Sequence, residues 1–225
     1  MKLLGILLLL LFFVPVSWAM NLESTSSCHC FKDRAFDPAR KFAADKYLLT
    51  TSFNSFIAVN FQLSKSQIVM MKMKGGIDPD TLLIGLYVAR EGAVELDNVL
   101  AILENGGSWQ QVLSSSSLKG DAEAKEVFTQ ITATRGNNAE AAEIVTDQLL
   151  KNYFAIGMED IVSLHREGAT GRESVLVNIL AQHSSRDSKP ADILTMYTRQ
   201  QKSWGEIANY YGFTPKETGN LLKGP

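Results

Sequence analysis

Residues 191–222 constrain the fold most tightly, because helix starts and helix stops follow one another there at short intervals. Ile193, Leu194 and Tyr197 fall on one side of a helix. Ser203 and Glu206 form an S-x-x-E capping box, in which each side chain satisfies a backbone donor at the helix start. Trp204, Ile207 and Tyr211 then share a face, and Gly212 follows where a left-handed stop is needed. Thr214 caps a further helix with Pro215 at its first position, where the missing N–H would have had no partner. The stretch therefore predicts helix, turn, helix, turn, helix.

The pattern recurs upstream. Val99, Ile102, Gly106, Ser108, Trp109, Gln111 and Val112 align without a gap on Leu194, Tyr197, Gln201, Ser203, Trp204, Glu206 and Ile207. A fainter copy runs through Ile161, Leu164, Gly168, Thr170 and Glu173, with Gly171 where the tryptophan stands in the others. Recurrence of this kind points to one supersecondary unit used several times. No alternating strand pattern longer than four residues occurs anywhere in the chain. The expected class is all-α: a multi-helix bundle, or an array of repeated short three-helix units.

Residues 1–19 read as a secretory signal peptide. Lys2 precedes an apolar run, Pro15 interrupts it, and Ser17-Trp18-Ala19 is a small-x-small ending. Cleavage after Ala19 leaves no segment apolar enough to span a bilayer, and places the chain in the periplasm or outside the cell. The chain is slightly acidic, with a formal charge of −2 and no basic cluster. Nothing in that balance attracts nucleic acid or anionic lipid.

Both cysteines lie in Cys28-His29-Cys30, within a flexible segment expected over residues 20–36. In an oxidising compartment they pair with each other under strain or with another chain. Alternatively they act as soft ligands for copper or zinc, with His29 assisting. Met70, Met71 and Met73 are further soft donors, and equally ordinary adaptable core filler.

Three regions follow. Residues 37–113 form an N-terminal helical region, opening at Asp37-Pro38 and including a long helix through Leu49, Phe53, Phe56, Ile57 and Phe61. Asn54 and Asn60 are expected on its exposed side. Residues 114–138 are expected as a linker or hinge, with a four-serine run and one charged helix carrying Val127, Phe128 and Ile131. Residues 139–225 form the C-terminal helical region. The Gly106-Gly107 pair ends a helix and lacks the lysine and preceding strand of a nucleotide loop.

No catalytic constellation is present in the sequence. The G-x-S-x-G elbow and H-E-x-x-H are both absent, and His29, His165 and His183 have no carboxylate or hydroxyl partner at a diagnostic spacing. His165 is expected as a helix C-terminal cation. Residues 191–223 resemble a helix-turn-helix module of the transcription-factor kind, on Ile193, Tyr197, Ser203-Trp204, Glu206-Ile207-Ala208, Gly212-Phe213 and Leu221-Leu222. That resemblance implies that the segment after Thr214 enters a major groove. Its reading head, Lys216, Glu217, Thr218, Gly219 and Asn220, holds no arginine. With its export signal and helical pattern, the whole chain resembles uncharacterised helical secreted proteins of Gram-negative bacteria, a likeness that implies no activity. The expectation is a non-catalytic binding or scaffolding protein for an unknown protein or cell-envelope partner, with Trp109 and Trp204 as candidate contacts, although a tryptophan in the first turn of a capped helix more often packs on the preceding helix and anchors the core. A soft-metal or thiol role of Cys28, His29 and Cys30 is the alternative, and DNA binding a lesser one.

Overall fold

The computed structural model describes residues 31–115 and 118–222, which hold twelve α-helices and no strand. After a 3₁₀ turn at Pro38–Arg40, capped by the Asp37 carboxylate, come α1 (Asp45–Asn60), α2 (Lys65–Met73), α3 (Pro79–Gly92), α4 (Leu96–Glu104) and α5 (Trp109–Leu113). Then follow α6 (Ala122–Ala133), α7 (Asn138–Phe154), α8 (Met158–Arg166) and α9 (Gly171–His183). The chain closes with α10 (Pro190–Thr198), α11 (Trp204–Tyr210) and α12 (Pro215–Thr218). None of these helices is long and apolar enough to cross a membrane.

The junctions obey one local rule. Gly106, Gly168 and Gly212 have φ of 80°, 96° and 86°, and each stands two residues before a hydroxyl cap, Ser108, Thr170 or Thr214. The intervening residue donates its N–H five residues back: Gly107 to Ile102, Ala169 to Leu164 and Phe213 to Ala208, at 2.9–3.0 Å. The cap then closes a reciprocal box with Gln111, Glu173 or Glu217. Gln62 takes the left-handed conformation before the Ser64 box, and Gln201 before the Ser203 box, both at φ 54°. A glutamine there costs roughly 1 kcal/mol that glycine avoids. Each cap returns about 1 kcal/mol by satisfying a donor that the helix leaves open.

Packing sorts the helices into two hydrophobic cores. The first gathers Phe53, Phe56 and Ile57 of α1, residues 82–88 of α3, Val127, Phe128 and Ile131 of α6, Val145, Leu149 and Leu150 of α7, and Val175 and Ile179 of α9. The second gathers Leu48, Leu164, Leu176, Leu180, Ile193, Leu194, Trp204 and Ile207. Helices α1, α8 and α9 feed both cores, and α1 and α9 are accordingly buried around most of their circumference. The charged helix expected in residues 114–138 is α6, with its apolar stripe inside the first core. That core draws residues from both sides of the segment, Val99 and Trp109 before it and Ile161 after it, so the cores are not divided there. Asn54, expected outside, is buried, because α2 covers that face of α1 and the Lys72 ammonium donates to its Oδ1 at 2.6 Å.

Candidate functional site

Three turns remote in sequence meet around Trp109. Gly75, Gly76 and Ile77 from the α2–α3 turn, Gly107 and Ser108 from the α4–α5 turn, and Gly136 and Asn138 from the α6–α7 turn line an open cleft of ≈ 440 Å³. Leu100 and Leu103 supply its apolar wall, and Asp78 and Glu104 its acidic rim. Along one side runs a hydrogen-bonded chain. The Trp109 indole N–H donates to Asn138 Oδ1 at 2.8 Å, the Asn138 amide to Thr81 Oγ1 at 3.0 Å, and the Thr81 hydroxyl to Asp78 Oδ2 at 3.1 Å. Asp78 also caps α3 through the Asp80 and Thr81 N–H groups. The wall is thus tied to three helix starts, those of α3, α5 and α7, which makes it rigid. Trp109 itself is only 4% exposed, so it forms the wall and does not project as a contact.

Trp204 meets a different fate. It is fully buried and stacks on Tyr197 of the preceding helix, with ring centroids 4.4 Å apart and planes 16° apart. Its neighbour Gly205 donates its N–H to Asp45 Oδ1 at 3.1 Å and lies close against Phe36, where a β-carbon would press on the ring at 3.0 Å. Burial raises the Asp45 carboxyl above the ordinary range, partly offset by the N–H groups of Trp204 and Gly205. The segment that the helix-turn-helix likeness puts in a groove is the four-residue α12. Thr218 and Gly219 are turned onto α1, where the Gly219 carbonyl accepts from Ser55 and from Lys65, and a β-carbon on Gly219 would strike Thr51.

A polar cluster lies where α7, α8 and α9 meet. Glu143 and Asp147 occupy one face of α7, four residues apart, and His165 stands in the last turn of α8. Sequence spacing concealed the partner of His165: its Nε2 is 2.8 Å from Asp147 Oδ1, and its Nδ1 is 2.8 Å from the Ala169 carbonyl oxygen. Both ring nitrogens thus face fixed protein partners, Nδ1 a carbonyl and Nε2 a carboxylate. Glu143 Oε2 accepts from the Gly171 N–H at 2.7 Å, at the start of α9. Burial raises both carboxyls above the ordinary range; the Gly171 N–H opposes this at Glu143, and the His165 hydrogen bond opposes it at Asp147. Burial lowers His165, but bonding to Asp147 and Ala169 outweighs it, so its pKa ends above the usual histidine value. Beyond Gly171, Arg172 lies 5.0 Å over the Phe53 ring and 3.7 Å from Asp80. Lys72 is lowered to about 8 by burial, with the Arg172 charge adding to the effect.

The remaining sequence candidates fall elsewhere. Cys28, His29 and Cys30 lie outside the described residues. Met70 and Met73 are exposed on α2, while Met71 packs against the first core. Neither the cleft nor the Glu143–Asp147–His165 cluster is announced by a motif, and the sequence trace of the cluster is the i, i+4 pair of carboxylates on α7. Comparison with known proteins returns no match: no family model, no curated protein and no solved structure is similar to the chain.

Proposed function

We propose that the chain is a non-catalytic helical binding protein of the periplasm or the extracellular space, and that its partner docks at the cleft walled by Trp109. The observation that carries this reading is the convergence of three separately anchored turns on one open concave surface with an apolar wall and an acidic rim. Pre-formed concavity of that kind suits recognition, because little ordering is left to be done on binding. The acidic rim of Asp78 and Glu104 favours a partner segment carrying a positive charge. We read residues 99–112 and 194–207 as two uses of one helix–turn–helix unit, of which the first borders the cleft.

A photoreactive amino acid at Glu104, exposed on the cleft rim, tests the reading in the native cell envelope against the same residue at Glu126, exposed on α6 away from the cleft. A discrete adduct from position 104 only, lost in an Asn138→Ala background, is expected. Equal labelling from both positions, or no adduct from 104, removes the cleft from the account. Sequencing the amino terminus of the envelope protein tests export: a start at Met20 is expected, and an intact Met1 in the cytosol contradicts it.

A further inference from the structure

We propose that Glu143, Asp147 and His165 form a binding site for a single divalent transition-metal ion of the zinc type. One ligand atom from each of the three residues lies within 4.8 Å of the other two, on helices held rigidly by the first core. The donor set is one imidazole nitrogen and two carboxylate oxygens, which suits zinc and not a soft monovalent copper ion.

The orientation of the histidine points to a cation. The Ala169 carbonyl can only accept, so the Nδ1 facing it at 2.8 Å carries a hydrogen. In the neutral ring the lone pair is then on Nε2, aimed at Asp147 Oδ1 from 2.8 Å. A lone pair facing a carboxylate oxygen at that distance requires a positive ion between or beside them, either a proton or a metal. A backbone carbonyl holding the far ring nitrogen is also how metal-bound histidines are fixed in tautomer and direction.

Charge supplies an independent argument. Glu143 and Asp147 are half-buried on the same helix face, where like charges four apart repel. Among the described residues, no lysine or arginine is ion-paired with either. A proton on His165 leaves the trio with one net negative charge, whereas a divalent ion beside neutral histidine cancels both carboxylates. Ligands about 2.1 Å from a tetrahedral zinc sit about 3.4 Å apart, so Nε2 and Oδ1, now at 2.8 Å, separate by about 0.6 Å, and atoms as far as 4.8 Å apart close by about 1.4 Å, through side-chain adjustment. The His165 and Asp147 side chains are 28% and 19% exposed, which leaves the fourth position to water.

The test uses the chain from Met20 carrying Cys28→Ser, His29→Gln and Cys30→Ser, so that the amino-terminal donors cannot answer for the cluster. Zinc chloride is titrated calorimetrically, and the histidine ring signals are followed by NMR. Uptake of one zinc per chain at micromolar concentration is expected, with a raised melting temperature. The His165 ring signals should move while those of exposed His183 stay. Glu143→Gln, Asp147→Asn and His165→Gln, each checked for helical content, should weaken binding at least about tenfold, and exposed Glu140→Gln should not. Absence of stoichiometric zinc in the parent chain means that only a proton occupies the cluster and overturns the proposal, whatever the variants do. Uptake that moves His183 and spares His165 also overturns it.

Discussion

Trp109 and Trp204 stand at the same place in the same local device, one residue after a serine cap that follows a left-handed turn, yet they end in different surroundings. Trp204 has Tyr197 on the preceding helix to stack on, and it is sealed in the second core. At the position aligned with Tyr197 the upstream unit carries Ile102, which is 38% exposed and offers no ring. Trp109 instead reaches across to Asn138 at the start of α7, and the space beside it stays open as the cleft. Capping chemistry sets the turn, while the residue one helix earlier and a residue far along the chain decide what the tryptophan does.

The largest expected effect separates the two rings by stability. Trp204→Ala should lose about 5 kcal/mol, because a sealed cavity cannot fill with water, whereas Trp109→Ala should lose about 3 kcal/mol, because its site opens to the cleft. Urea unfolding of both variants measures this, and equal losses would erase the distinction. Asn138→Ala leaves the Trp109 N–H without its acceptor and removes the donor to Thr81 Oγ1, whose hydroxyl keeps Asp78, and should lose about 2 kcal/mol. In the NMR spectrum of that variant the Trp109 indole signal should move and the Trp204 signal should not.

Smaller effects test what the units share. Ser108→Ala and Ser203→Ala each remove the acceptor for the N–H three residues on, Gln111 or Glu206, and should each lose about 1 kcal/mol. A loss at one site only would break the equivalence of the junctions. A pH slope at Lys72 tests the packing of α2 on α1. Lys72 holds its proton less tightly when folded, at about 8 against an ordinary 10.5, because burial disfavours the charge. The folded state then binds fewer protons than the unfolded one between those values, so stability rises with pH from about 8 to about 10.5. Relative to Lys72→Met, the parent chain should gain melting temperature across that window. A parallel pair of profiles would show that Lys72 is not buried as described.

Much of the fold was legible because it is local. The boxes at Ser108, Thr170 and Ser203 and the stop at Gly212 are chemistry within four residues, and each appears where spacing places it. Gln201 could be aligned with Gly106, but only the backbone shows that a glutamine adopts the left-handed turn. The cleft was not legible, since its turns are dozens of residues apart and are brought together by the first core. His165 was read correctly as lying in a last helical turn, while Asp147, one helix earlier, was invisible to any spacing rule. Asn54 lies inside, not on the exposed side that spacing predicts, because α1 is covered on nearly every face, so polar residues on it do not mark solvent.

Trp109 borders an open cleft, and its counterpart Trp204 is shut in. Acrylamide quenching of tryptophan fluorescence tests this directly, in Trp204→Phe and Trp109→Phe variants of the chain from Met20, each with a single emitter. The account predicts that the Trp109 emission is quenched measurably and the Trp204 emission hardly at all. Equal quenching, or stronger quenching of Trp204, would contradict it.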